Sequence, residues 1–68
     1  MKWLLKQYMA QQHIDSIKEL SDRTGIARRT LYDRIEDPQT LRLYELARLD
    51  HILHFSDEDL AKLTRGKI

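Results

Sequence analysis

Along the 68-residue chain the apolar positions recur at helical spacing almost throughout, and no stretch alternates strictly enough to make a strand. The pattern predicts five helices in a single all-α domain over residues 1–64, with a flexible tail over 65–68. The first helix runs from about Lys2 to Gln12. There Leu5, Tyr8 and Met9 fall at i, i+3 and i+4, and Trp3 and Leu4 broaden the stripe. Trp3 and Tyr8 are expected in the core. His13-Ile14-Asp15 breaks the pattern.

The second helix is expected from Ile17 to Thr24. Ser16 and Glu19 have the spacing of a capping box, and Ile17, Leu20, Ser21 and Thr24 share one face. Gly25 follows at once and suits the left-handed position that closes many helices. The third helix runs from Ala27 or Arg28 to Glu36 with Leu31 and Ile35 inward, and Asp37-Pro38 stops it. The fourth begins after Thr40 and reaches about Leu53. Leu41, Leu43, Tyr44, Leu46, Ala47, Leu49, Ile52 and Leu53 make it apolar over most of its circumference, so it is central or buries a second face on a partner. The fifth, Asp57 to Thr64, has Ser56 as N-cap, three carboxylates in its first turn, and a staple between Phe55 and Leu60.

Composition narrows the function classes. A chain this short buries only ~60% of the surface its unfolded form exposes, which leaves little room for a catalytic cleft. The absence of cysteine removes disulfides, thiolate metal sites and a thiol nucleophile, and makes a reducing compartment the default. No apolar run approaches the ~18 residues of a membrane span. Met1-Lys2-Trp3-Leu4-Leu5-Lys6 is interrupted by charge too soon for a secretory signal, so a cytoplasmic location is expected. His51 and His54 stand beside Asp50, but no further ligand has a convincing spacing for a metal. No catalytic triad or phosphate-cradling loop is present either. The expectation is a non-enzyme without cofactor or metal. The net charge is only +1, from 12 Lys/Arg and 11 Asp/Glu. Residues 1–34 hold seven basic against four acidic side chains, net +3, and residues 35–68 hold five against seven, net −2. One face is thereby suited to an anionic partner.

The most informative stretch is residues 16–36, SIKELSDRTGIARRTLYDRIE. Two short helices meet at Thr24-Gly25-Ile26-Ala27. Ser21 is small where they cross, Gly25 lets the chain reverse, and Ile26 plugs the turn. These are the mechanics of a helix-turn-helix.

Leu20-Ser21-x-x-Thr24-Gly25-Ile26-Ala27-Arg28-x-Thr30-Leu31 resembles the core motif of the lambda repressor and Cro (XRE-type) family. Leu46-Ala47-Arg48-Leu49, followed by Ser56-Asp57-Glu58-Asp59-Leu60, is similar to its fourth and fifth helices, so the resemblance spans most of the chain. Ala27 replaces the small polar cap usual after the turn, Gln is missing at the start of the second helix, and one extra residue separates Leu31 from Ile35. The resemblance implies a compact five-helix lambda repressor-like DNA-binding domain, a Cro-like regulator or repressor of bacteriophage or prophage type, working in a bacterial cytoplasm.

It also implies that helix 27–36 lies in the major groove of an operator. With Leu31 and Ile35 inward, Asp33 points directly away from the core and Arg29 nearly so. Thr30 and Glu36 face outward, Tyr32 lies on the flank, and Arg28 is nearer the buried side. Arg29 is the foremost base reader, since its planar fork matches guanine O6 and N7. Arg28, Thr30, Tyr32 and Asp33 are the other base-contact candidates. Ser16, Lys18, Arg23, Gln39 and Arg42 are candidates for phosphate.

A plainer reading makes Arg28, Arg29 and Arg34 a solvated face, with Arg29 and Asp33 an i, i+4 pair. A different function is also open: a protein-binding modulator of the same fold, a co-repressor or anti-repressor gripping the DNA-binding domain of a phage repressor. The partners expected are therefore double-stranded DNA, a phage repressor, and a second copy through the C-terminal helices. Leu41, Leu49, Ile52, Phe55 and Leu63 are the apolar candidates for that seam.

Overall fold

The structure, a computed structural model, describes residues 3–65. The elements are α1 (Leu4–Gln11), α2 (Ile17–Thr24), α3 (Arg28–Glu36), a 3-10 turn (Pro38–Thr40), α4 (Leu43–Leu53) and α5 (Asp57–Thr64). The described residues contain no strand. The expected helix start at Lys2 and the tail residues 66–68 lie outside the described part.

Each element begins or ends where a side chain or backbone conformation requires it. Ser16 Oγ accepts the Glu19 amide at 3.1 Å and so starts α2. Glu19 turns toward Arg23, 3.7 Å away, so only half of the expected box forms. Gly25 ends α2 at φ 74°, where a Cβ would be strained, and its N–H closes on the Ser21 carbonyl at 2.8 Å. Ser56 Oγ accepts the Asp59 amide at 3.1 Å and starts α5. The 3-10 turn is an element the apolar pattern does not reveal. Asp37 organises it, with Oδ1 accepting the Gln39 amide at 3.3 Å and its carbonyl accepting the Thr40 hydroxyl at 2.6 Å. The fourth helix accordingly starts at Leu43. Leu41 is buried from the connection before it.

The core is mainly leucine: Leu5, Leu20, Leu31, Leu41, Leu46, Leu49, Leu53 and Leu63 are fully enclosed. Ile14, Ile26, Ile35, Met9, Tyr8 and Phe55 fill the remaining space. Tyr8 meets Phe55 edge to face at 4.9 Å. The Tyr8 hydroxyl donates to Asp59 and accepts the Ser56 amide at 3.0 Å, pinning the start of α5 to α1.

Three expectations about apolar residues are corrected. Trp3 is 60% exposed and lies beside the Lys6 ammonium, outside the core. Leu43 and Tyr44 are also exposed, so α4 is not apolar all round. Leu41, Leu49, Phe55 and Leu63 are buried inside the chain's own core and offer nothing to a second copy; of the expected seam only Ile52 is partly exposed. A domain this small commits most of its leucines to its own core.

Candidate nucleic-acid interface

The turn between α2 and α3 is locked by side chains of α2. The Thr24 hydroxyl donates to the Leu20 carbonyl at 2.8 Å and accepts the Ile26 amide at 3.2 Å. The Ser21 hydroxyl donates to the Ile26 carbonyl at 2.6 Å. Both peptide groups of the buried Ile26 plug are therefore held, and the angle at which α3 leaves the turn is fixed. Ser21 was expected at the crossing for its small size; its hydroxyl also ties the turn.

With Leu31 and Ile35 buried, Arg28, Arg29, Tyr32 and Asp33 are exposed, and Thr30 is half-buried, less open than the wheel suggests. Tyr32 is 59% exposed. Among the described residues neither Arg28 nor Arg29 takes part in an ion pair, so the i, i+4 pair of Arg29 with Asp33 does not form. Ala27 caps α3 without a side-chain hydrogen bond. The first amides of α3 and two uncommitted guanidiniums therefore open on the same end of the helix.

Arg34 behaves differently from its neighbours and corrects the picture of one solvated arginine face. Only 19% exposed, it donates from Nε to Glu45 Oε1 at 3.0 Å and reaches Thr40 Oγ1 at 3.4 Å. Glu45 is fully buried and also accepts the Arg42 amide at 2.8 Å, capping α4. Glu45 thus joins the end of α3, the 3-10 turn and the start of α4. The sequence holds a signal for it: a glutamate three residues after the N-cap, here Arg42, is the capping-box position. That signal becomes readable only once the start is placed at Leu43.

The phosphate candidates fall into separate places. Ser16 at the start of α2 and Tyr32 on α3 line one hollow of about 670 Å³, together with Met9, Ile14 and Ile35. Among the described residues Lys18 pairs only with exposed Asp22, at 3.6 Å. Such surface pairs are worth ~0–1 kcal/mol and give way to a phosphate. Arg23 lies at the far end of α2, in another hollow beside Arg48 and His51. Gln39 and Arg42 are exposed on the connection into α4. His51 and His54 gain no third ligand, since the described residues hold no group of three potential metal-binding side chains. No described helix is long and apolar enough to cross a membrane.

A family model described as the Cro/C1-type HTH DNA-binding domain matches residues 4–65. No curated protein and no solved structure matches the chain.

Proposed function

The chain belongs to the Cro/C1-type helix-turn-helix DNA-binding family, and from that premise we propose that it is a sequence-specific transcriptional regulator reading an operator's major groove with α3. The observation that carries this reading is the pair of exposed arginines, without an ion pair among the described residues, at the first turn of a helix whose departure angle is fixed by Ser21, Thr24 and Ile26. In this geometry Arg29 reads a base edge, and Thr30, Tyr32 and Asp33 border it. Arg28 reaches base or phosphate. The amides at the start of α2, with Ser16 and Lys18, hold one phosphate run. Gln39 and Arg42 hold another. Arg23, turned toward α4, is the weakest of the phosphate candidates.

The site in this proposal is a cytoplasmic, DNA-associated one. Its test is a binding selection from randomised duplexes at about 100 mM salt, where non-specific binding is already weakened. Enrichment of one short motif supports it; recovery of unenriched sequence overturns it.

One observation favours the modulator reading as a runner-up. Asp33 is exposed in the middle of the reading face and repels phosphate, whereas a basic partner would welcome it. A tight one-to-one complex with a phage repressor's DNA-binding domain, combined with no enriched duplex, selects that reading instead.

A further inference from the structure

The hollow shared by α1, the loop before α2 and α3 carries two charges that DNA reading does not use. Its volume of about 670 Å³ lies in the range of sites that hold small organic ligands. Met9, Ile14 and Ile35 give it a buried apolar floor. Two of the exposed large apolar side chains gather around it: Tyr32 lines it, and Trp3 stands beside Lys6, which also lines it. An apolar floor bordered by aromatic rings and a few polar groups is the usual make-up of a small-molecule site.

The charges say which ligand fits. Lys6 lines the hollow from α1 and Asp15 from the loop before α2, and both are exposed. Among the described residues neither joins an ion pair, with the other or with a third group. Two opposite charges thus line one apolar hollow without neutralising each other. The Lys6 ammonium lies 4.9 Å from the centre of the Trp3 ring instead. At an exposed ring that contact is weak and yields to a carboxylate. Glu36, already engaged, borders the hollow as well. A purely cationic ligand meets its own sign at Lys6, and a purely anionic one meets it at Asp15. A zwitterion with an apolar body satisfies both and covers the floor.

We propose that this hollow binds a small apolar zwitterion of amino-acid type, a free amino acid or a dipeptide. Its carboxylate pairs with Lys6, its ammonium with Asp15, and its side chains rest on Met9, Ile14 and Ile35. Ser16 and Tyr32 line the same hollow and are also candidates for DNA contact. An occupant therefore competes with DNA for them and acts as an effector that loosens the operator. This competition rests on the DNA-reading proposal; ligand binding itself does not.

Amide NMR shifts of the full chain, titrated at low salt with leucyl-phenylalanine, its N-acetyl form and its C-terminal amide, test the site. The three share one apolar body and differ only in charge. The zwitterion should shift the amides of Met9, Ile14, Asp15 and Tyr32, and should bind roughly 5-fold more tightly than either blocked form, as exposed ion pairs allow. In Asp15→Asn the acetylated form should bind as well as the zwitterion, and in Lys6→Met the amide should. Both positions are exposed, so circular dichroism should be unchanged. Free phenylalanine, run beside the dipeptide, shows which of the two sources fills the hollow better. Absence of shifts at millimolar dipeptide and free phenylalanine overturns the proposal. So does equal binding of all three forms to the unaltered chain, and so do shifts that cluster away from the hollow. Shifts at these amides on raising protein concentration alone give the hollow to a second copy and overturn it too. Saturating ligand should then lower affinity for the selected duplex by about 5-fold or more; an unchanged affinity overturns the competition. A chain that selects no duplex without ligand fails the DNA-reading proposal instead, and the dipeptide titration still decides the site.

Discussion

Removing the guanidinium of Arg29 leaves the packing of α3 untouched, because the side chain is exposed and joins no ion pair among the described residues. Its loss is therefore a clean probe of base reading. Arg29→Ala should cost ~1–3 kcal/mol of discrimination at one base position, seen as a flattened preference there when single-base operator variants are titrated. Lys18→Ala should behave otherwise. Its only partner among the described residues is an exposed Asp22, so binding should weaken alike on all sequences and the salt slope should fall by ~1. A third residue bears on stability. His54 closes α4 at φ 57°, a left-handed conformation reached without glycine. Such a conformation costs an L-residue ~1–2 kcal/mol, partly returned by glycine's greater entropy loss. His54→Gly should accordingly stabilise the domain by about 0.5–1 kcal/mol in urea unfolding.

At the scale of elements, the strut from Arg34 to Glu45 sets how α3 stands against α4. A buried carboxylate that loses its cation is costly, whereas removing both charges together is often neutral. Arg34→Met alone should cost about 3 kcal/mol, toward the low end for such pairs because Arg34 keeps some solvent. The double variant with Glu45→Leu should recover most of that in the same urea titration. Sequence made the bounds of α2, α3 and α5 legible because local chemistry sets them: Ser16, Gly25, Pro38 and Ser56 each act within one turn of their own position. The 3-10 turn escaped because it has no hydrophobic period, only an aspartate closing on its neighbours. Glu45 escaped because its burial depends on Arg34, eleven positions away. Trp3 differs for another reason: it fits the stripe of α1, but as the residue before the helix it is exposed, with the Lys6 ammonium over its ring. The outward placement of Arg29 and Asp33 was legible from the wheel once Leu31 and Ile35 were fixed inward, whereas Arg28, which the wheel puts nearer the buried side, is exposed because it stands in the first turn of α3.

The whole molecule divides its charge as a DNA-facing domain must, though its net charge is only +1. The basic excess sits in residues 1–34, which supply α1, α2 and nearly all of α3, and the acidic excess sits in the half that includes α5. A weak overall charge means that non-specific attraction depends on a few placed cations rather than on a general field. If Lys18, Arg23, Arg28 and Arg42 each neutralise one phosphate, binding releases the counterions of about four phosphates per copy, and the logarithm of the affinity should fall with that of the salt at a slope of roughly −3 to −4. Titrations of a single half-site between about 50 and 200 mM salt measure this slope. A value near −1 would remove most of these side chains from the backbone contact and leave the reading face of α3 without the supports that orient it. A value near −3 that relaxes by about one unit in Arg23→Ala would bring back onto DNA the residue whose hollow points toward α4. An unchanged slope in that variant would take Arg23 out of the backbone contact.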